Sequence, residues 1–130
     1  ELDPENAGIY HVLAGAYEKV DDLVQAEEFY QLSLALDPTD EECLMNYIDL
    51  LKNRSLVEAK EYLQDFMDQF ESNKLSKLLM VNILWLIGDK NLALSQFRNC
   101  VEENKEKAKE IFELNPTLAE VQEFVHLTED

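Results

Sequence analysis

The sequence predicts an all-α protein built from antiparallel helical hairpins. Strand patterns are nearly absent, whereas apolar residues recur at helical spacing, as in Ile9, Leu13, Tyr17 and Val20. Residues that cap helices or form turns interrupt this pattern at short intervals. Because connections this short force each helix to run antiparallel to the one before it, we expect a stack of helical hairpins.

Five interruptions mark the ends of the predicted helices. They carry residues that cap helices or adopt turn conformations. They fall at Asp21-Asp22, Asp37-Pro38-Thr39-Asp40, Asn53-Arg54-Ser55, Glu71-Ser72-Asn73 and Gly88-Asp89. The helices between them should be about 12 to 16 residues long.

Composition and charge limit the possible partners. The chain has 130 residues, 46% of them apolar, and 28 acidic residues against 11 Lys and Arg give a formal charge of −17. This composition is typical of one small domain or a short repeat array. The negative field repels phosphate, so we expect neither nucleic acid nor an anionic membrane surface as a partner. Neither a signal peptide nor an apolar run of about 18 residues is present, which predicts a cytoplasmic location.

Two independent markers recur with one period. Leu2-Asp3-Pro4 returns as Leu36-Asp37-Pro38, at an offset of 34 residues. Alanines also recur at offsets of 33 and 34, and a bulky apolar residue follows each of them four positions later. The alanines are Ala26, Ala59 and Ala93, and the bulky residues are Tyr30, Leu63 and Phe97. A small residue at the hairpin crossing lets two helices approach closely, and the large residue one turn later fills the space beside it.

With this period, the sequence resembles the tetratricopeptide repeat family, whose unit is a 34-residue helix–turn–helix. Residues 7–40 match best, at Tyr10, Leu13, Ala14, Tyr17, Ala26, Tyr30 and Pro38, with Ser33 as a mild departure. The resemblance implies a right-handed superhelical array of antiparallel hairpins, a tetratricopeptide-like α-solenoid. It also implies a non-catalytic scaffold for protein–protein interaction.

The resemblance divides the chain into five parts. Residues 1–6 are the expected tail of a preceding repeat, so that the array would continue upstream. The first repeat is residues 7–40, a degenerate second repeat is residues 41–73, and the third repeat is residues 74–104. Residues 105–130 form the predicted C-terminal helical cap, which a repeat array needs in order to cover its last apolar face.

The predicted cap consists of two short helices. The first spans residues 107–114, with Ala108, Ile111 and Phe112 inward, and ends before Asn115-Pro116. A capping box of Thr117 and Glu120 predicts the start of the second helix. The apolar stripe of this second helix would hold Leu118, Val121, Phe124 and Val125.

In the resembling family, the first helix of each unit lines a concave groove that binds a partner. The resemblance implies the following partner-binding residues: His11, Lys19, Met45, Asp49, Lys52, Leu75, Leu78, Asn82 and Trp85. In this family, a set of side chains can bind the terminal carboxylate of a partner. That binding mode is rejected here, because Asn46 is the one residue that matches at the corresponding positions. The negative charge instead favours a protein or peptide segment that is basic or neutral and apolar.

The helix predicted at Leu75–Ile87 is apolar almost all the way round, which is not typical of a solvated helix. The sequence leaves three explanations open. The tail around Phe112 and Phe124 covers the helix, or a partner segment binds a patch centred on Trp85, or the helix pairs two copies in a homodimer.

No catalytic, metal or cofactor site is expected. His11 and His126 are the two imidazoles, and neither has a Cys or Ser at a motif spacing. The acidic pairs match no calcium loop, and no Gly-rich phosphate loop occurs. Cys43 and Cys100 lack metal-binding spacing and are expected to be reduced, buried thiols. An alternative function is that of a regulatory repeat region in a larger enzyme or sensor protein.

Overall fold

The computed structural model describes residues 6–129, and in this range it contains helices and no strand. Six long helices come first, namely α1 (Ala7–Lys19), α2 (Leu23–Leu36), α3 (Glu41–Arg54), α4 (Leu56–Gln69), α5 (Lys74–Ile87) and α6 (Lys90–Glu103). Four short elements follow, namely α7 (Lys105–Ala108), α8 (Ile111–Leu114), a 3₁₀ helix (Pro116–Glu120) and α9 (Gln122–Thr128). The all-α prediction and the five predicted interruptions are confirmed.

The chain forms two compact units, divided between Leu50 and Leu51. Unit 1 contains α1, α2 and most of α3, and unit 2 contains the end of α3 and everything after it. The predicted tail of a preceding repeat, residues 1–6, lies outside the described residues except for Asn6.

In unit 1, α1 and α2 form a hairpin around two alanines. Ala14 and Ala26 are both fully buried, so the helices can pack closely. The connecting turn contains Asp21 at a φ of 63°, a left-handed conformation that Asp adopts more readily than most residues. Asp22 then caps α2, because its Oδ1 accepts a hydrogen bond from the Gln25 backbone nitrogen at 3.3 Å.

The departure at Ser33 has a structural reason. Ser33 is fully buried, and its Oγ donates to the Ala7 carbonyl oxygen at 2.8 Å. A buried hydroxyl without a partner would destabilise the hairpin, and this bond instead joins the start of α1 to α2. The serine is therefore compatible with the repeat.

In unit 2, α5 packs against α4, α6 and α8. Ala59 and Ala93 are fully buried, as are the bulky residues Leu63 and Phe97 four positions later. Gly88 ends α5 at a φ of 106°, a left-handed conformation that glycine adopts without strain. Its backbone nitrogen donates to the carbonyl oxygens of Leu84 and Trp85.

The C-terminal segment differs from its prediction in two respects. The helix expected at residues 107–114 is interrupted at Lys109-Glu110, which leaves the short helices α7 and α8. The capping box expected at Thr117 and Glu120 was wrong, because Asn115 provides the cap. Its Oδ1 accepts from both the backbone nitrogen (3.2 Å) and the hydroxyl of Thr117, and Pro116 then begins a 3₁₀ helix.

The apolar residues predicted to face inward do so to different degrees. Ala108, Ile111, Leu118 and Phe124 are at most 1% exposed. Phe112, Val121 and Val125 are only half-buried. None of the helices within residues 6–129 has the length and apolar character needed to cross a bilayer.

Candidate protein-binding surface

The nine side chains predicted to bind a partner fall into the two units. Unit 1 holds His11, Lys19, Met45 and Asp49, and unit 2 holds Lys52, Leu75, Leu78, Asn82 and Trp85. Lys19 and Asp49 are exposed, while His11, Met45, Lys52 and Trp85 are half-buried. The remaining three are buried.

In unit 1, His11 of α1 is held by two side chains from α3 and the turn before it. Its Nε2 lies 3.0 Å from Nδ2 of Asn46, and its Nδ1 lies 3.6 Å from Oδ2 of Asp40. Because an amide nitrogen can only donate, Nε2 accepts, and the proton of the neutral ring sits on Nδ1, facing Asp40. Asp40 also caps α3, since its Oδ1 accepts from the Cys43 backbone nitrogen at 3.1 Å. The imidazole is thus fixed in both orientation and tautomer.

Two buried tyrosines link the helices of unit 1. Tyr30 and Tyr47 stack with their ring centroids 5.5 Å apart. The Tyr47 hydroxyl donates to Oε2 of Glu27 at 2.7 Å and accepts from Nε2 of Gln31 at 2.8 Å. It therefore fastens α3 to α2 through two hydrogen bonds.

Tyr30 also holds a carboxylate on α1. Its hydroxyl donates to Oε1 of Glu18 at 2.7 Å. Burial, and then this hydrogen bond and the charge of Glu18, raise the pKa of Tyr30 well above its ordinary value. Tyr30 accordingly stays protonated at physiological pH and keeps Glu18 in place.

The charge of unit 1 is strongly negative. Residues 7–50 contain ten acidic side chains and one Lys or Arg, which is Lys19. Two of the predicted binding residues, Met45 and Asp49, lie one turn apart on α3. We call His11, Lys19, Met45 and Asp49 the α1–α3 surface. It combines one thioether, two basic groups and a carboxylate in acidic surroundings.

In unit 2, three of the predicted partner-binding residues, all on α5, are buried in the chain itself. Leu75, Leu78 and Asn82 are only 2%, 1% and 4% exposed. The C-terminal segment explains the burial of Asn82, because Nδ2 of Asn115 donates to its Oδ1 at 2.9 Å. These three side chains are unavailable to a partner.

The same segment reaches Trp85. The ring of Phe124, in α9, meets Trp85 edge-on at a centroid distance of 5.1 Å and lies 4.8 Å from Phe97. Lys90 Nζ lies 4.8 Å from the centre of the indole ring. Of the three explanations for the apolar α5, the structure therefore supports coverage by the tail. A homodimer through this face would need side chains that are already buried.

A partly open cleft of about 260 Å³ lies elsewhere in unit 2. Its lining residues are Met67, Lys77, Gln96, Asn99, Cys100 and Glu103. Lys77 Nζ donates to both carboxylate oxygens of Glu103, at 3.0 and 3.2 Å. The two charged groups that line the cleft are therefore paired with each other.

Both cysteines are free and buried. Burial raises the pKa of the Cys43 thiol, and likewise that of Cys100, to about 11. Both are therefore protonated and unreactive at neutral pH. Within residues 6–129, His, Cys, Asp and Glu side chains form no group of three or more that could hold a metal ion.

Sequence reasoning named Phe124 in one of its three explanations for the apolar α5, but it missed Asn115 as a part of the cover. The contact of Phe124 with Trp85 agrees with that explanation. A polar residue on an otherwise apolar helix was the available signal for Asn115. Asn82 needs a hydrogen-bond partner once it is buried, and another amide can supply one.

Two comparisons with known proteins found similarities to this chain. The family model described as "Tetratricopeptide repeat" matches residues 7–40. A solved structure titled "Crystal structure of MamA protein" superposes with a TM-score of 0.58 and 16% sequence identity, covering 95% of this chain and 69% of that one. No curated protein matches the sequence significantly. The similarity to the solved structure shows an all-α repeat fold, and the sequence similarity to the tetratricopeptide repeat lies in residues 7–40, one repeat of this chain.

Proposed function

We propose that this chain is a non-catalytic scaffold that binds a basic or neutral-apolar segment of a partner protein on the α1–α3 surface of unit 1. The observation that carries the proposal is the excess of acidic residues there, ten against a single lysine within residues 7–50. A basic segment would be drawn to this unit by long-range attraction and would associate faster at low salt.

The fixed orientation of His11 supports the proposal. Asn46 and Asp40 hold the ring before any ligand arrives. A side chain that is ordered in advance loses little conformational entropy on binding, so more of the contact energy contributes to affinity. Half-buried Met45, which precedes Asn46 in α3, supplies an adaptable apolar side chain.

Unit 2 contributes less to the proposed surface. Its three buried α5 residues are excluded, and Trp85 is half-covered by Phe124 and Lys90. The main interaction is therefore assigned to unit 1.

Binding can be measured by fluorescence anisotropy with two labelled probes of equal length, a peptide of alternating Lys and Leu and one of alternating Glu and Leu. We expect the basic peptide to bind about tenfold or more tightly than the acidic one, and its affinity to fall as salt rises. Asp49→Lys should weaken binding of the basic peptide about fivefold or more. Asp65→Lys is the matched control, because it changes the same charge at an exposed position of α4.

Equal affinity for both peptides would overturn the charge argument. Equal effects of Asp49→Lys and Asp65→Lys would overturn the assignment to the α1–α3 surface while leaving a general preference for basic segments intact.

A further inference from the structure

The cleft of unit 2 lies in a hairpin that can be compared, position by position, with the first hairpin of the chain. Ala26 of α2 and Ala93 of α6 are both fully buried and lie 67 residues apart. Helices α5 and α6 begin at this same offset from α1 and α2, and α6 also ends at this offset from α2. Each residue of α1 and α2 therefore has a counterpart 67 positions later.

The first hairpin has apolar side chains at positions that line the cleft in the second. Tyr10 of α1 stacks on Phe29 of α2, with ring centroids 5.7 Å apart. Their counterparts, Lys77 and Gln96, both line the cleft. Two further pairs follow the same rule, Leu32 with Asn99 and Leu36 with Glu103. Polar side chains have thus replaced apolar ones at four neighbouring positions.

The hairpin fold itself does not require this polar lining. An aromatic pair such as Tyr10 and Phe29 stabilises a hairpin through buried area and ring contact. The half-buried Lys77 and Gln96 instead border an open cleft of about 260 Å³. Places where polar groups stand in for packing are typical of functional sites, and a concave site with a few convergent polar groups is typical of ligand binding.

We propose that this cleft binds a free α-amino acid with an uncharged polar side chain. Charge selects this ligand, because among the described residues that line the cleft Lys77 is the cation and Glu103 is the carboxylate. An α-amino acid carries a carboxylate and an ammonium group on the same carbon, so it can pair with both residues at once. A ligand with a single charge would place that charge beside a like charge of the cleft, which is unfavourable.

Binding would exchange one ion pair for two. Lys77 Nζ donates to both carboxylate oxygens of Glu103, at 3.0 and 3.2 Å. With the amino acid between them, Lys77 donates to its carboxylate and Glu103 accepts from its ammonium group, so every charge keeps a partner. The two side chains are 27% and 44% exposed, so they can separate by rotating without a shift of α5 or α6.

The rest of the lining suits an uncharged side chain of moderate size. Gln96 and Asn99 carry carboxamides, which both donate and accept hydrogen bonds. Met67 of α4 adds an adaptable apolar contact, and burial keeps the thiol of Cys100 protonated. At roughly 30 Å³ per water molecule, the cleft has room for about nine waters, or for a ligand of about ten non-hydrogen atoms.

The amino-acid site is independent of the proposed function. All the residues that line the cleft belong to unit 2, whereas the core of the proposed partner-binding surface belongs to unit 1. None of them is part of the α1–α3 surface. Either proposal can therefore fail without the other.

Four free amino acids serve as probes, namely L-glutamine, L-asparagine, L-threonine and L-serine. Each is titrated into the full chain and followed by heteronuclear NMR. We expect a dissociation constant on the order of 1 mM or lower for at least one of them, as suits a small ligand in a partly open cleft. The backbone amide signals that move should belong to the cleft, among them those of Lys77, Gln96 and Glu103, and not to unit 1.

Derivatives of the tightest-binding amino acid test the role of each charge. Its N-acetyl form keeps the carboxylate alone, and its carboxamide keeps the ammonium group alone. Both should bind about tenfold or more weakly than the free amino acid, because each leaves one charged residue of the cleft without its partner. Glu103→Gln should weaken the free amino acid about tenfold but leave the N-acetyl form bound at least as well as before.

A substitution that fills the cleft tests its location. Gln96→Phe places in α6 the residue that α2 has at the equivalent position, and it should weaken the amino acid about tenfold or more. Gln25→Phe, the same change at a half-buried position of α2, is the matched control and should leave the affinity unchanged. Circular dichroism checks that both variants keep their helices.

Three results would overturn the proposal. One is that none of the four amino acids binds with a dissociation constant below about 10 mM. Another is that the free amino acid binds no more tightly than its two derivatives. The third is an equal effect of Gln96→Phe and Gln25→Phe, or signal changes confined to residues outside the cleft.

Discussion

α1 in unit 1 and α5 in unit 2 are both first helices of predicted repeats, but they differ in how far they are covered. Val12 of α1 is 72% exposed, whereas Leu79, its equivalent in α5, is 6% exposed. α5 is the more apolar helix in sequence, and the C-terminal segment covers it through Asn115 and Phe124. The comparison teaches that the apolar character of a repeat helix does not by itself identify a binding face. What matters is whether another part of the chain already covers it.

The largest effect is expected where the cover of α5 is anchored. Phe124→Ala should lower the free energy of unfolding by about 3 to 5 kcal/mol, because Phe124 is fully buried against Trp85 and Phe97. Urea denaturation measures the change. Trp85 is the single tryptophan, so its emission should also shift to the red as its surroundings become wetter. A stable variant with unchanged emission would mean that Phe124 does not cover α5.

A matched pair of alanine substitutions tests the comparison directly. Leu79→Ala should cost about 2 to 5 kcal/mol, since it leaves a cavity in a buried site. Val12→Ala should change stability by no more than about 0.5 kcal/mol, because Val12 is 72% exposed. Thermal denaturation of both variants gives the difference. Similar losses in the two would contradict the exposure of Val12.

The smallest of the three effects concerns the hairpin that supports α1. Ala26→Leu should cost about 1 to 3 kcal/mol by overpacking, because Ala26 is completely buried between α1 and α2. Ala35→Leu, at an exposed position of α2, is the control and should be nearly neutral. Equal stability of the two variants in urea would show that the crossing of α1 and α2 lies elsewhere.

The sequence predicted local features well. The helix ends at Asp22, Ser55, Asn73 and Gly88 follow from capping and turn chemistry, which depends on residues a few positions apart. The buried alanines follow from a period that two markers share. These signals are short-range or repeated, so they can be read without knowing the fold.

The course of the C-terminal segment was less predictable. Thr117 has the spacing of a capping box with Glu120, in which the Glu120 side chain would accept from the Thr117 backbone nitrogen. That nitrogen instead donates to Oδ1 of Asn115, two residues earlier. The burial of Asn82 depends on a contact with Asn115, 33 residues away, and no periodic pattern encodes that contact. Leu75 and Leu78, two further predicted binding residues, are also buried. Tail coverage was one of the three explanations that the sequence left open.

The burial of Cys43 and Cys100 has a practical consequence for measuring these surfaces. Both thiols are held in the protonated form, with pKa values of about 11. A cysteine introduced on the exposed side of α1 would therefore be the thiol that reacts with a spin label or a dye. The mobility of that label could then be followed by electron spin resonance without removing either native cysteine.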